Sequence, residues 1–109
     1  MNIKNYIAII ILMNAVNCFA SCGLENAKVI DVHQYFDGNI FVRFDKSTNC
    51  NCIEKTRLAF DSGDPTKQFI QSMVLLAFAS NSNVTAYSSS TECSVHGNTA
   101  VLDYFRVLK

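Results

Sequence analysis

Asp64-Pro65-Thr66-Lys67-Gln68-Phe69-Ile70-Gln71-Ser72-Met73-Val74-Leu75-Leu76-Ala77-Phe78-Ala79 is the stretch whose reading decides the fold. Asp64 can cap the first free amides of a helix, and Pro65 suits the first helical position, where no donor is needed. The polar run Ser80-Asn81-Ser82-Asn83 ends it, because Asn tolerates the left-handed conformation that closes a helix. At about 100° per residue, Phe69, Ile70, Met73, Leu76 and Ala77 share one apolar face. Val74, Leu75 and Phe78 fall on the other side, among Lys67, Gln68 and Gln71. A surface helix of a small monomer is polar there. The second face is therefore expected to be covered either within the chain or by another copy of it.

Strand patterns flank this helix. Ala27 to Phe36 alternates, with Ile30, Val32 and Phe36 expected inward and Asp31, His33 and Tyr35 outward. Asp37-Gly38-Asn39 is a hairpin signal, and the chain returns with Ile40, Val42 and Phe44 inward. After the polar turn Lys46-Ser47-Thr48-Asn49, Cys52 to Phe60 reads as a third strand. Asn83 to Ser88 gives a fourth, Ser89 to Asn98 a polar loop, and Ala100 to Leu108 a fifth. Three strands, a helix and two strands is the order of the OB-fold, a partly open five-stranded barrel with the helix between strands three and four. The expected class is therefore mainly β, α+β in detail. Another α+β sheet with one helix on its face would give the same order.

At the N-terminus, Lys4 precedes the apolar run Ile7-Ala8-Ile9-Ile10-Ile11-Leu12-Met13, with small residues at Cys18 and Ala20. These are the parts of a secretory signal peptide, 1–20, cut after Ala20. The run is shorter than the roughly 20 apolar residues a membrane span needs. Phe19-Ala20-Ser21-Cys22 offers a rival reading as a lipoprotein box with Cys22 lipidated. Residues 21–109 then form a single domain carrying eight basic and nine acidic side chains, with no basic field to draw nucleic acid. So small a domain hides only about 60–65% of its unfolded surface and needs staples or a partner.

Cys22, Cys50, Cys52 and Cys93 remain after the leader, an even number in an exported chain, and read as two disulfides. A Cys50–Cys52 bridge closes too tight a ring, so one of these two is expected to pair with Cys93 and the other with Cys22. The spacing is a poor zinc pattern. No cofactor motif is present, and no nucleophile elbow or phosphate loop supports catalysis. His33 and His96 show no evident carboxylate partner. Asp61 and Asp64 flank the helix start in capping roles, and the sequon Asn83-Val84-Thr85 opens a strand.

The outer face of the first two strands gathers Asp31, His33, Tyr35, Phe41, Arg43 and Asp45. Aromatic rings beside guanidinium donors and carboxylate acceptors suit sugars: a ring stacks on C–H faces and an arginine clamps a sugar-acid carboxylate.

The run Lys67 to Met73, then Leu76-Ala77-Phe78-Ala79 leading into Val84-Thr85-Ala86-Tyr87, resembles the receptor-binding B subunits of bacterial AB-type toxins, of the subtilase-cytotoxin and pertussis-like kind. Val29-Ile30-Asp31-Val32, with its Gly-containing turn and aromatic return strand, fits the same pattern. The resemblance implies an OB-fold subunit, secreted and non-catalytic, that assembles as a homopentameric ring and binds host cell-surface sialoglycans, with an enzymatic A subunit as a further partner. It implies sugar contacts just before the first strand, here Asn26 and Lys28, and on the second, here Arg43. Tyr35 and Asp45 join them from the face described above. Val74, Leu75 and Phe78 become the subunit interface. The alternative is a monomeric secreted or periplasmic inhibitor or accessory protein that binds a protein partner.

Overall fold

The structure, a computed structural model, describes residues 21–109. The expected leader, 1–20, and its cleavage position lie outside the described residues. The fold is mainly β. Strands β1 (Cys22–Gln34), β2 (Asn39–Phe44) and β3 (Arg57–Asp61) precede helix α1 (Gln68–Ser80), and β4 (Asn83–Ser88), β5 (Ala100–Val101) and β6 (Tyr104–Leu108) follow it.

The sheet runs β5-β3-β2-β1-β4-β6. All pairings are antiparallel except β3 with β5. Its two edges, β5 and β6, are halves of the expected fifth strand, separated by Leu102 and Asp103. The Leu102 amide donates to the Ala59 carbonyl at 2.7 Å and the Asp103 amide to that of Tyr87 at 2.9 Å. One strand thus changes partner in mid-course and draws the sheet into a small OB-fold-like barrel, with the helix between β3 and β4.

β1 does most of the curling. Its first half pairs with β4 and its second with β2, with register shifts between Leu24 and Ala27 and between Val29 and Asp31. A bulge adds a residue, bends the strand and reverses the faces beyond it. Asn26 accordingly has φ 54°. Ile30, expected inward, is 53% exposed because it is the extra residue of the second bulge. Phe36, also expected inward, lies in the turn beyond β1 and is wholly exposed.

The inner faces of all six strands, with Leu102 between β5 and β6, close on Val29, Val42, Phe44, Leu58, Phe60, Val84, Ala100, Leu102 and Phe105. A second cluster lies on the outer wall. Phe41, expected on the solvent face, is 1% exposed and packs with Ala59 and Val95. The loop after β4 folds back to cover it. Disulfides Cys22–Cys50 and Cys52–Cys93 fasten both long connections, and they belong to an oxidising, non-cytoplasmic environment.

Asp64 caps as expected, its carboxylate accepting from the Thr66 amide at 2.9 Å, but the turn it caps is the 3-10 turn Pro65–Lys67 that leads into α1. Those bonds to Thr66 hold the Asp64 carboxyl below its ordinary value. Asn81, at φ 55°, closes the helix. The helix is rolled relative to its expected orientation. Val74 and Ala77 are buried, with Ile70 and Met73 half-buried beside them. Phe69 and Leu76, expected inside, are 74% and 60% exposed. Val74, expected at a subunit interface, is a core residue at 1% exposure. Lys67 explains the roll: its ammonium reaches the Leu102 carbonyl at 2.7 Å and the Asp103 carboxylate at 2.8 Å, pinning the first turn to the strand break. No described helix is long and apolar enough to cross a membrane.

Candidate functional site

The five expected sugar contacts do not share one location. Asn26 sits in the first bulge of β1. Next to it, the Lys28 amide donates to the Asp45 carboxylate at 2.9 Å and the Asp45 amide donates back to the Lys28 carbonyl at 3.0 Å. The Lys28 ammonium is turned to the Asn81 carbonyl at 2.7 Å. Tyr35 lies seven positions beyond Lys28, on the order of 20 Å at the rise of a strand. Arg43 stands between, opposite Asp31 on β1 and Arg57 on β3. Its guanidinium donates to Thr56 Oγ1 at 2.6 Å and stands 4.0 Å from Glu54.

Around Tyr35 the side chains form a packed hub. His33 stacks on Phe41 at 5.3 Å, the Arg57 guanidinium lies 4.4 Å from the Phe41 ring centre, and Tyr35 and His96 meet that ring at 6.0 and 5.2 Å. Both histidines have the carboxylate partners that the sequence does not reveal: Asp31 for His33 at 2.8 Å and Asp37 for His96 at 2.7 Å. The bond from His96, then that from the Asn39 amide, lowers the Asp37 carboxyl to about 2. These contacts hold the loop after β4 on the sheet, a structural task.

A concave polar surface opens at the other end of β1. It is shallow and open to solvent, and is lined by Gly23, Leu24, Glu25, Lys46, Ser47, Thr48, Asn49 and Tyr87. Asn49 docks the turn after β2 on β1: its side-chain oxygen accepts from the Gly23 amide at 2.7 Å, and its own amide donates to the Gly23 carbonyl at 3.1 Å. Lys46 donates to the Glu25 carbonyl at 3.0 Å, and the Tyr87 hydroxyl donates to the Glu25 carboxylate. That bond pushes the Tyr87 hydroxyl above its ordinary value, so the phenol stays protonated. The surface therefore offers an aromatic ring, a carboxylate, an ammonium and a hydroxyl within one hollow. Asn26 and Asp45 adjoin it in sequence, next to Glu25 and Lys46.

Glu25, Lys46, Ser47, Asn49 and Tyr87 escape a reading of the sequence because they come from three separate segments. The signal that could have joined them is the Cys22–Cys50 bridge, which sets the turn 46–49 against the start of β1.

A second cleft, about 170 Å³ and largely apolar, lies between α1 and the first hairpin, against Val32, His33, Gln34, Ile40, Phe60, Gln71, Val74 and Leu75. Among the described residues no group of three or more His, Cys, Asp or Glu side chains is placed to hold a metal. Comparison with protein-family models, curated proteins and solved structures finds no match for this chain.

Proposed function

We propose that the protein is a secreted, non-catalytic glycan-binding subunit that works as a ring of identical copies, in the manner of a toxin B subunit that carries an enzymatic partner to a cell-surface sialoglycan. The observation that carries this reading is the hollow at the start of β1. A sugar ring presents C–H faces and hydroxyls, and the hollow presents a tyrosine ring beside fixed donors and acceptors. Lys46 supplies the positive charge that a sialic acid carboxylate requires. Arg43, with one nitrogen held by Thr56, and Tyr35, in the packed hub at the far end of β1, lie outside this hollow.

Ring assembly suits such a subunit because single sugar sites are weak and several on one face multiply avidity. The exposed apolar side chains Phe69, Leu75, Leu76 and Phe78 of α1 support that assembly.

The test is a glycan array probed with oxidised protein and with Tyr87→Ala and Lys46→Ala. Sialylated glycans bind the unaltered protein, and either substitution weakens binding by about tenfold or more, the loss of one good charge-assisted or aromatic contact. An array without bound glycan overturns the sugar reading and returns the protein to the accessory or inhibitor class.

A further inference from the structure

The helix carries its exposed apolar residues on two separate flanks. With the buried stripe Ile70, Val74 and Ala77 as its underside, Phe69 and Leu76 project roughly 110–130° to one side. Leu75 and Phe78 project roughly 70–130° to the other side. Gln68, Ser72 and Ala79 make the ridge between them. The flanks differ in shape. Phe69, at 74% exposure, is a protruding ring, whereas the side of Leu75 borders the cleft formed by apolar Val32, Ile40, Phe60 and Val74 together with polar His33, Gln34 and Gln71. That cleft measures about 170 Å³, and an apolar cavity of about 150 Å³ accommodates a benzene ring.

We infer that Phe69 of one copy seats in the cleft beside Leu75 of the next. This inference rests on the ring assembly proposed above and names its junction. A protrusion and a recess on different flanks of one chain make a head-to-tail contact, which propagates in one direction and closes into a ring when the rotation per step allows. A self-complementary dimer would need both features on one patch. The area is of the right order. At roughly 200 Å² for a full aromatic side chain and slightly less for leucine, the two flanks meeting at one junction bring together about 450 Å² of exposed apolar surface. That is about half the apolar area of a standard interface of roughly 1,600 Å², before any barrel residue is counted. Gln71, which lines the cleft, can cover the seated ring.

The experiment measures protomer number by native mass spectrometry for the unaltered protein, Phe69→Ser, Gln71→Trp and Phe36→Ser. Phe69→Ser removes the protrusion, Gln71→Trp fills the recess, and Phe36→Ser alters a still more exposed aromatic ring in the hairpin turn. The junction predicts a ring for the unaltered protein and for Phe36→Ser. The other two each weaken the junction by about 30-fold, as loss of a central interface side chain does, and run as monomers. Mixed one to one, Phe69→Ser and Gln71→Trp form a heterodimer that grows no further, since the pair retains a single working junction; that pairing also shows both variants are folded. Rings from both variants overturn the inference and leave ring assembly standing. Dissociation by Phe36→Ser, or variants that separate but do not pair on mixing, likewise overturns it. A monomeric unaltered protein overturns the inference and the assembly together.

Discussion

The His96 imidazole meets the Asp37 carboxylate at 2.7 Å, joining two residues 59 positions apart and tying the loop after β4 to the turn of the first hairpin. The same loop is held by the Cys52–Cys93 bridge and by the Arg57 guanidinium, which donates to Thr99 at 2.9 Å and to Asn98 at 3.3 Å. The Asp37 carboxyl is lowered to about 2 from an ordinary 3.8. A depressed carboxyl stabilises the fold above its unfolded value and loses that contribution as the pH falls through its folded value. The pair therefore supports the loop above about pH 4 and releases it between about pH 4 and 2. Carbon-13 NMR of the Asp37 carboxyl should titrate with a midpoint near 2, and Asp37→Asn should abolish the corresponding acid-dependent change in the His96 signals. A midpoint near 4 contradicts the pairing.

Phe41 and Phe36 separate the two meanings of an aromatic residue in the first hairpin. Phe41 is 1% exposed under the loop, and Phe36 is fully exposed. Phe41→Ala should cost about 3–5 kcal/mol, the range for emptying a buried aromatic site. Phe36→Ala should stay within about 0.5 kcal/mol of the unaltered chain. Urea unfolding of the oxidised protein checks both, and equal losses would contradict the outer-wall cluster.

Much of this fold is legible in the sequence, and the illegible parts share one physical origin. Asp64, Pro65 and Asn81 act locally, so the helix ends could be read directly. The strand order and the two-disulfide set are likewise legible, because alternation and cysteine parity survive without tertiary knowledge. What could not be read depends on one extra residue or one distant contact. The bulge at Ile30 reverses a face that alternation puts inward. The pinning of Lys67 to Asp103 rolls the helix, burying Val74 and exposing Phe69. The loop that covers Phe41 is polar in composition, apart from Val95. The concave polar surface was the least legible part, because Glu25, Lys46 and Tyr87 meet only once the barrel has curled.

Gly23 marks where that curling is tightest. A Cβ there would lie 2.2 Å from the Ala86 carbonyl oxygen and 2.7 Å from the Tyr87 Cα, backbone atoms that cannot swing aside. Gly23→Ala should destabilise the fold by about 3 kcal/mol, the upper end of the range for overpacking. It should also disturb the hollow, since Gly23 is docked to Asn49 there. Denaturation midpoints check the first effect and glycan titration the second. An unchanged midpoint would contradict the close approach of β1 to β4.

Lys67 tests the helix anchor. Its ammonium is mostly buried and Asp103 partly so. Burial pushes the Asp103 carboxyl up, but the bonds from Lys67 and Ser89 outweigh it and leave the carboxyl lowered. Lys67→Met should cost about 1–2 kcal/mol, less than a fully buried pair because Asp103 retains some solvent. The deficit should be largest at neutral pH and shrink as the pH falls through the Asp103 value, where the unaltered protein loses the same contribution. A variant as stable as the unaltered protein from neutral to acid pH would show that the anchor is dispensable.

Neighbouring helix positions should behave as opposites. Val74→Asp places a charge in the core and should prevent folding. Leu75→Asp and Phe78→Asp alter half-exposed sites, should leave the circular dichroism of the barrel intact, and should separate the copies. Loss of fold in all three would place Leu75 and Phe78 in the core with Val74.

The most direct measurement is the solution mass of the oxidised protein by light scattering. A particle near five protomers is the expected result, since in the proposed ring sister copies would cover the two apolar flanks of α1. A single protomer at working concentration, with those flanks left in water, contradicts it.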